Sequence, residues 1–261
     1  MWSILQGDCV DVMALLPAES VDAVITSPPY AQQRKATYGG IPEAEYPAWT
    51  VAWMEQAKRV LKPDGSVVIN IRPHIVKGQL SDYTLRTRLA VRDAGWCEVD
   101  ELIWHKTNAM PVGARRKPRR SWESLHWFAL HGQPFSDAIA NGKPSTRATR
   151  VQLDGQHLRN GWSHYNVSAS TTPAMTRCTD LVSLSKGAEQ TGHPAPYPSA
   201  LAEWVAKLVC PPGGTILDPF SGSASTGVAA IRNGYDYIGI DAMPEYVDMS
   251  RRRLEATEDA A

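Results

Sequence analysis

Apolar residues recur along the chain with two periods. Val21-Asp22-Ala23-Val24-Ile25-Thr26, Ser66 to Ile71, Thr215-Ile216-Leu217-Asp218 and Tyr235 to Asp241 are short apolar runs that read as buried strands. Trp2 to Asp8, Trp96 to Lys106 and Leu125 to Leu130 read as further strands. Between them the spacing turns helical. Cys9 to Leu16 is stopped by Pro17, Tyr46 to Leu61 carries Trp49, Ala52, Trp53, Gln56 and Val60 on one stripe, and Leu80 to Ala94 ends at Gly95. Pro198 to Val209, Ser225 to Asn233 and Glu245 to Leu254 complete the set, and Lys62-Pro63-Asp64-Gly65 reads as a turn. Strand and helix alternate as in a doubly wound parallel sheet, so the expected class is α/β with helices on both faces. From Gln133 to Thr191 the periodicity disappears, and Gly, Ser, Thr, Asn and Arg dominate. Leu153, Trp162, Tyr165, Val167 and Leu181 give that stretch enough apolar content for an irregular insert rather than a linker. The expected organisation is one domain in two halves, residues 1–132 and 192–261, separated by an insert at 133–191.

Composition narrows the class. At 261 residues and 43% hydrophobic content the chain can bury a full core without staples. No apolar run approaches the ~20 residues of a membrane span, and the first residues lack the basic and apolar regions of a secretory leader. Cys9, Cys97, Cys178 and Cys210 are scattered without a CxxC pair, so reduced thiols in a cytoplasmic protein are expected, with no structural metal. Lys+Arg and Asp+Glu balance at 27 each, yet they are not mixed evenly. Between His105 and Cys178 lie eleven basic and only three acidic side chains, Glu123, Asp137 and Asp154. A basic middle between acidic flanks, with Trp122, Trp127, Trp162 and Tyr165 interspersed, fits a nucleic acid. Its densest piece is Arg115-Arg116-Lys117-Pro118-Arg119-Arg120, which taken alone would be a solvated loop.

Two constellations carry chemistry. The first is Ile216-Leu217-Asp218-Pro219-Phe220-Ser221-Gly222-Ser223-Ala224-Ser225-Thr226-Gly227, a strand, a small-residue loop and a helix start. Such a loop admits close approach of a ligand to free backbone N–H groups at a helix N-terminus. It is neither a Walker loop nor GxGxxG. Asp241, at the end of the next strand, lies 23 positions beyond Asp218, close to the spacing of an acid that binds ribose hydroxyls. A nucleoside cofactor without a diphosphate at the loop is expected. The second is Thr26-Ser27-Pro28-Pro29-Tyr30 at a strand end. A hydroxyl, a carbonyl exposed by fixed prolines and an aromatic face suit a flat ring bearing an exocyclic amine.

The two motifs together resemble the S-adenosylmethionine-dependent amino-methyltransferases that act on DNA bases. The catalytic motif precedes the cofactor loop, the order of that family's circularly permuted β class, in which a target-recognition segment lies between them. Gly7-Asp8 followed by Leu15 to Asp22, Val60 to Ser66, Ile103 to Pro111 (the WxKxNxxP segment) and Gly192-His193-Pro194-Ala195-Pro196-Tyr197-Pro198 resemble further family elements. The resemblance covers Ile4–Leu130 and Gly192–Leu254 and implies a Rossmann-like methyltransferase sheet with a target-recognition insert.

It also implies roles. Ser27 and the Pro28 carbonyl would hold the target amine, Pro29 would keep the backbone rigid, and Tyr30 would stack on a flipped base. On that basis the Tyr30 ring matters more than its hydroxyl, and Tyr30→Phe is expected to keep most activity. Asp8 would meet the cofactor's adenine amine and Asp241 its ribose. Asp218, Pro219, Phe220, Gly222 and Ser223 would wrap its methionine part, with Ser27 beside it and His193 and Pro194 closing that end. Arg34, Lys106, Arg115, Arg116, Lys117, Arg119 and Arg120 are the candidate contacts to double-stranded DNA. Ala224 stands where the family usually has Gly, so a different loop tip is expected there. The resemblance leaves room for a homodimer and for a restriction endonuclease on another chain. Ser-Pro-Pro-Tyr is the form more typical of N4-cytosine enzymes. N6-adenine methylation is the alternative, ahead of a non-catalytic DNA-binding module and a Rossmann dehydrogenase.

Overall fold

The computed structural model describes residues 1–32, 40–109, 118–145, 175–185 and 197–260. Its strands are β1 (Trp2–Gln6), β2 (Val21–Thr26), β3 (Leu61–Ile71), β4 (Ile75–Val76), β5 (Gln79–Leu80), β6 (Cys97–Lys106), β7 (Trp122–Ala129), β8 (Leu181–Leu184), β9 (Thr215–Asp218) and β10 (Asp236–Asp241). Its helices are α1 (Cys9–Leu15), α2 (Tyr46–Val60), α3 (Tyr83–Asp93), α4 (Ser199–Val209), α5 (Ser225–Arg232) and α6 (Pro244–Glu258). Eight strands form one sheet in the order β1-β10-β9-β2-β3-β7-β6-β8, and β4 and β5 form a separate hairpin. All eight run parallel except β7, which is antiparallel to both β3 and β6.

Helices cover both faces, which is why the central strands are apolar at every position rather than at every second one. All six residues of β2 are buried. Val67 and Ile69 enter a core with Met13, Trp53, Met54, Val60 and Phe128 under α1 and α2. Val68, between them, enters the opposite core with Leu201, Val205, Val209, Val228 and Leu254 under α4, α5 and α6. The permutation is visible in the strand order: β9 and β10, from the end of the chain, sit between β1 and β2 from its beginning. The two halves read from the sequence therefore share one sheet. No helix among the described residues is long and apolar enough to cross a membrane.

The structure departs from the sequence-based expectation in four places. The run Lys62 to Gly65 is a bulge inside β3 rather than a turn before it: Val21 pairs with Leu61, but Ala23 already pairs with Ser66. Asp22 fills the bulge, accepting Lys62 Nζ on both carboxylate oxygens at 2.9 Å and Thr215 N at 2.8 Å. A Cβ on Gly65 would lie 2.9 Å from the Asp22 carbonyl, so the bulge needs its glycine. Second, β7 is antiparallel to both its neighbours, so the sheet is mixed rather than wholly parallel. Third, Leu181–Leu184, inside the expected irregular insert, extends the sheet beside β6; four residues are too few to show a period. Fourth, Leu80 belongs to the β4–β5 hairpin, and the following helix starts at Tyr83.

Helix α5 packs closely on β10 at Gly227, where an added Cβ would meet the Tyr237 ring at 2.6 Å and Leu254 Cδ2 at 2.9 Å. In an open helix Gly→Ala gains about 0.5–1 kcal/mol. Here the sign reverses, and Gly227→Ala is expected to destabilise by about 1–3 kcal/mol through overpacking. Urea unfolding checks this: a neutral or stabilising result would mean that Tyr237 yields.

Candidate active site at the carboxyl edge of the sheet

Parallel strands end on one edge, and here that edge gathers both constellations read from the sequence. Gly7-Asp8 follows β1, loop 219–224 follows β9, Ser27 to Tyr30 follow β2, Arg72 follows β3, and Asp241 and Lys106 close β10 and β6. Antiparallel β7 begins at the same edge with Trp122. This is where open α/β sheets bind ligands.

At one end of the edge lie Asp8, Asp241 and the loop. Gly7 N donates to the Asp241 carbonyl at 3.0 Å, which holds the two acids side by side. Asp8 is exposed and caps α1 by accepting Val10 N at 2.8 Å. Asp241 is buried; its oxygens accept Gly222 N and Met243 N, each at 2.9 Å. Burial raises its pKa, and those two amides oppose the rise. Two carboxylate lone pairs are left for a ligand. The loop differs from the expected nest of free amides. Phe220 N donates to Asp218, Ser221 N to the Ile240 carbonyl, Gly222 N to Asp241 and Ala224 N to the Ser221 carbonyl. Ser250 Oγ and Arg253 Nη1 tie down the Gly222 and Ser223 carbonyls from α6. Gly222 has φ 54°, and Ala224 follows it into the left-handed region at φ 55°, ψ 41°. The loop tip expected to differ at Ala224 thus keeps a conformation suited to glycine. The left-handed geometry costs about 1–2 kcal/mol for a residue with a Cβ. Its fully buried methyl offsets part of that, at ~0.8 kcal/mol for one carbon. Phe220, half-buried, packs on Trp49 and Trp53 of α2 with ring centroids 5.3 and 5.5 Å away.

Asp218 faces inward. Its Oδ1 accepts Thr26 Oγ1 at 2.6 Å and Phe220 N at 3.1 Å, and its Oδ2 accepts Thr226 Oγ1 at 2.6 Å. Thr226, its proton spent on Asp218, receives the Tyr197 hydroxyl. Burial raises the Asp218 pKa to about 6 against the pull of these donors. Asp218 thus joins the strand that leads into Ser27–Tyr30 to loop 219–224.

Beside it, Ser27 Oγ donates to the Asn70 carbonyl at 3.2 Å, and Pro28 is buried. The Tyr30 hydroxyl donates to Glu123 Oε2 at 3.0 Å and lies 3.4 Å from Asn70 Oδ1. Burial first, then Glu123, hold its pKa well above that of a free tyrosine, so the hydroxyl keeps its proton. Glu123 is itself buried and also binds Lys106 Nζ, with Arg72 Nη1 at 3.5 Å. Lys106 sits 4.4 Å over the Trp104 ring, so this candidate DNA contact has its charge turned into the protein.

Of the basic cluster, Arg119 is exposed and Arg120 half-buried, with Nη1 on the Pro73 carbonyl; Trp122 beside them is 46% exposed. Arg34, Arg115, Arg116, Lys117, His193 and Pro194 lie outside the described residues. Sequence reasoning missed Asn70, Glu123 and Thr226. Glu123 did carry a sign: it is one of three acids in a stretch with eleven basic residues.

A family described as DNA methylase matches residues 21–252. The chain belongs to this DNA methylase family. Type II methyltransferase M.XycI of Xanthomonas campestris pv. cyanopsidis is 30% identical over 97% of this methylase and 87% of its own length. Type II methyltransferase M.PvuII of Proteus hauseri is 26% identical over 97% and 83%. The solved PvuII DNA methyltransferase (cytosine-N4-specific) superposes with a TM-score of 0.74 at 24% identity, covering 99% of this methylase and 91% of that chain. A modification methylase from Thermus thermophilus, solved in complex with S-adenosyl-L-methionine, gives 0.64 at 21% identity over 99% and 96%.

The Asp218 carboxyl sets a pH dependence. Its folded pKa lies above its unfolded value, so the folded methylase binds this proton more tightly. The group therefore favours folding most below about pH 4, and that contribution is lost as pH rises through about 6. Asp218→Asn should remove this slope, so its stability relative to the parent rises between pH 4 and 6. Urea unfolding across that range tests it, and parallel profiles would mean that Asp218 does not titrate there.

Proposed function

We propose that this methylase transfers a methyl group from S-adenosylmethionine to the exocyclic N4 amine of cytosine in double-stranded DNA. The observation that carries the proposal is the state of the Ser27 hydroxyl. Its one proton is committed to the Asn70 carbonyl, so its oxygen presents lone pairs to an incoming N–H. With the Pro28 carbonyl it offers two acceptors to the two hydrogens of an amine.

The donor set at the other end of the edge fits S-adenosylmethionine. Asp8 is an exposed carboxylate for the adenine amine, Asp241 keeps lone pairs for the ribose, and Phe220, braced by Trp49 and Trp53, gives a flat apolar surface. Bound there, the cofactor supplies a sulfonium methyl, an electrophile that an amine can take in line. The loop residues 219–223, and His193 and Pro194 beyond them, complete the holding set. Asp218 acts behind the loop, fixing it to β2.

On the substrate side the chain's task is geometric. The lone pair of the target nitrogen is delocalised into its ring. Acceptors on both N–H groups favour the pyramidal nitrogen of the transition state. The amine is paired inside a duplex, so the base must leave the stack, and Tyr30 replaces part of the lost stacking, worth ~1–3 kcal/mol. Ser27 is neutral, so the surplus proton leaves the methylated nitrogen for water. A serine in place of a carboxylate favours cytosine, as does the likeness to a cytosine-N4-specific relative. Arg119 and Arg120, with Arg34, Arg115, Arg116 and Lys117, are the proposed phosphate contacts. A homodimer and a restriction endonuclease on another chain belong to the same proposal.

Nucleoside mass spectrometry of DNA from cells expressing the methylase is expected to show N4-methylcytosine. N6-methyladenine would move the assignment to the adenine branch, and 5-methylcytosine would overturn the mechanism. Neutralising Arg119 and Arg120 together should weaken binding to all sequences and flatten the salt dependence by roughly two phosphates' worth of slope. An unchanged slope would return the pair to a solvated loop.

A further inference from the structure

A buried carboxylate needs a reason. Glu123 is 6% exposed, at the start of β7, one strand removed from the catalytic motif. Taking it out of water is costly unless it is paired and hydrogen-bonded. Two cations supply the pairing: Lys106 from the neighbouring β6, half-buried and lying over Trp104, and Arg72 from the end of β3. If closing the sheet end were its whole purpose, those two would suffice. Its second oxygen instead reaches across β3 and takes the Tyr30 hydroxyl at 3.0 Å. Asn70 completes the arrangement from β3, accepting Ser27 Oγ on its carbonyl and donating Nδ2 to the Ser124 carbonyl at 3.1 Å. The motif is thus held at both ends: Ser27 by β3, Tyr30 by β7.

We infer that Glu123 is a positioning residue for methyl transfer: anchored by Lys106 and Arg72, it fixes the Tyr30 ring at the height and tilt at which an extruded base stacks. This rests on the function proposed above. It alters one sequence-based expectation, because the Tyr30 hydroxyl is then a tether and Tyr30→Phe is no longer mild.

A background without the buried Lys106 ammonium gives the test, since removing Glu123 alone would strand it; Arg72, more exposed, is present in every variant and cancels from the comparison. Lys106→Met is combined with Glu123→Gln, which keeps an oxygen acceptor for Tyr30, and separately with Glu123→Ala, which does not. Tritium transfer from labelled S-adenosylmethionine to unmethylated DNA reads activity. Calorimetry with S-adenosylmethionine and melting temperature read folding. The alanine pair is expected to be slower than the glutamine pair by about tenfold, one hydrogen bond's worth. The loss should fall on kcat rather than KM, because Tyr30 meets the base only after extrusion, and cofactor affinity should be equal. In a Tyr30→Phe background the ratio should collapse to one. Equal turnover of the two pairs, or a ratio that survives Tyr30→Phe, overturns the inference while leaving the methylase function standing. A parent protein that transfers no label overturns both. Should either pair fail to fold, Tyr30→Phe alone decides: about tenfold slower turnover supports the tether, and parental turnover refutes it.

Discussion

The contact on which the active edge depends is a carboxylate held by two threonines. Asp218, at the end of β9, binds Thr26 at the end of β2 and Thr226 in the first turn of α5. Thr26 is separated from Asp218 by 192 positions, so no local folding rule brings them together. The cost of burying the acid is visible in its raised pKa, and three donors offset it. In return the strand that leads into Ser27 and the strand that opens loop 219–224 share a fixed register. An offset of an ångström between an amine and a methyl donor would cost a large factor in rate. A buried, fully hydrogen-bonded acid can hold that register better than apolar packing, because its bonds have direction.

The same device recurs along the edge. Asp241 fastens loop 219–224 to β10 and Glu123 fastens Tyr30 to β7, while at the opposite, amino end of the strands Asp22 fills the bulge in β3. The core beneath needs none of this. The side chains of Val67, Val68 and Ile69 go to alternate faces and are held there by burial. Rigidity at the edge is polar and specific, and stability in the layers is apolar and general. The division follows from what each region must do: the layers need volume, the edge needs orientation.

Much of this was legible in the chain. The buried strands, the six helices and the identity of both motifs follow from short-range pattern, because strand and helix periods and a proline pair act within a few residues. The permuted order of the motifs is also a fact of sequence, and with it came the expectation that distant ends would share a sheet. Even the lone acids in the basic middle were countable.

Tertiary structure alone decided what each acid faces. Asp218 and Asp241 look alike in sequence, each closing a strand. One turned inward to join two strands and the other kept lone pairs at the edge, because only Asp218 has a threonine on either side of it in space. Lys106 stood among the candidate phosphate contacts by its charge; β7, running antiparallel, placed Glu123 beside it and drew it inward. Ala224 was expected to resist a left-handed turn, and the core around its methyl made the turn tolerable. The sequence by itself determined which elements form and which chemistry they carry. The partners of its buried charges were set by strand order and direction, through contacts that span 17 positions for Lys106 and Glu123 and 192 for Thr26 and Asp218.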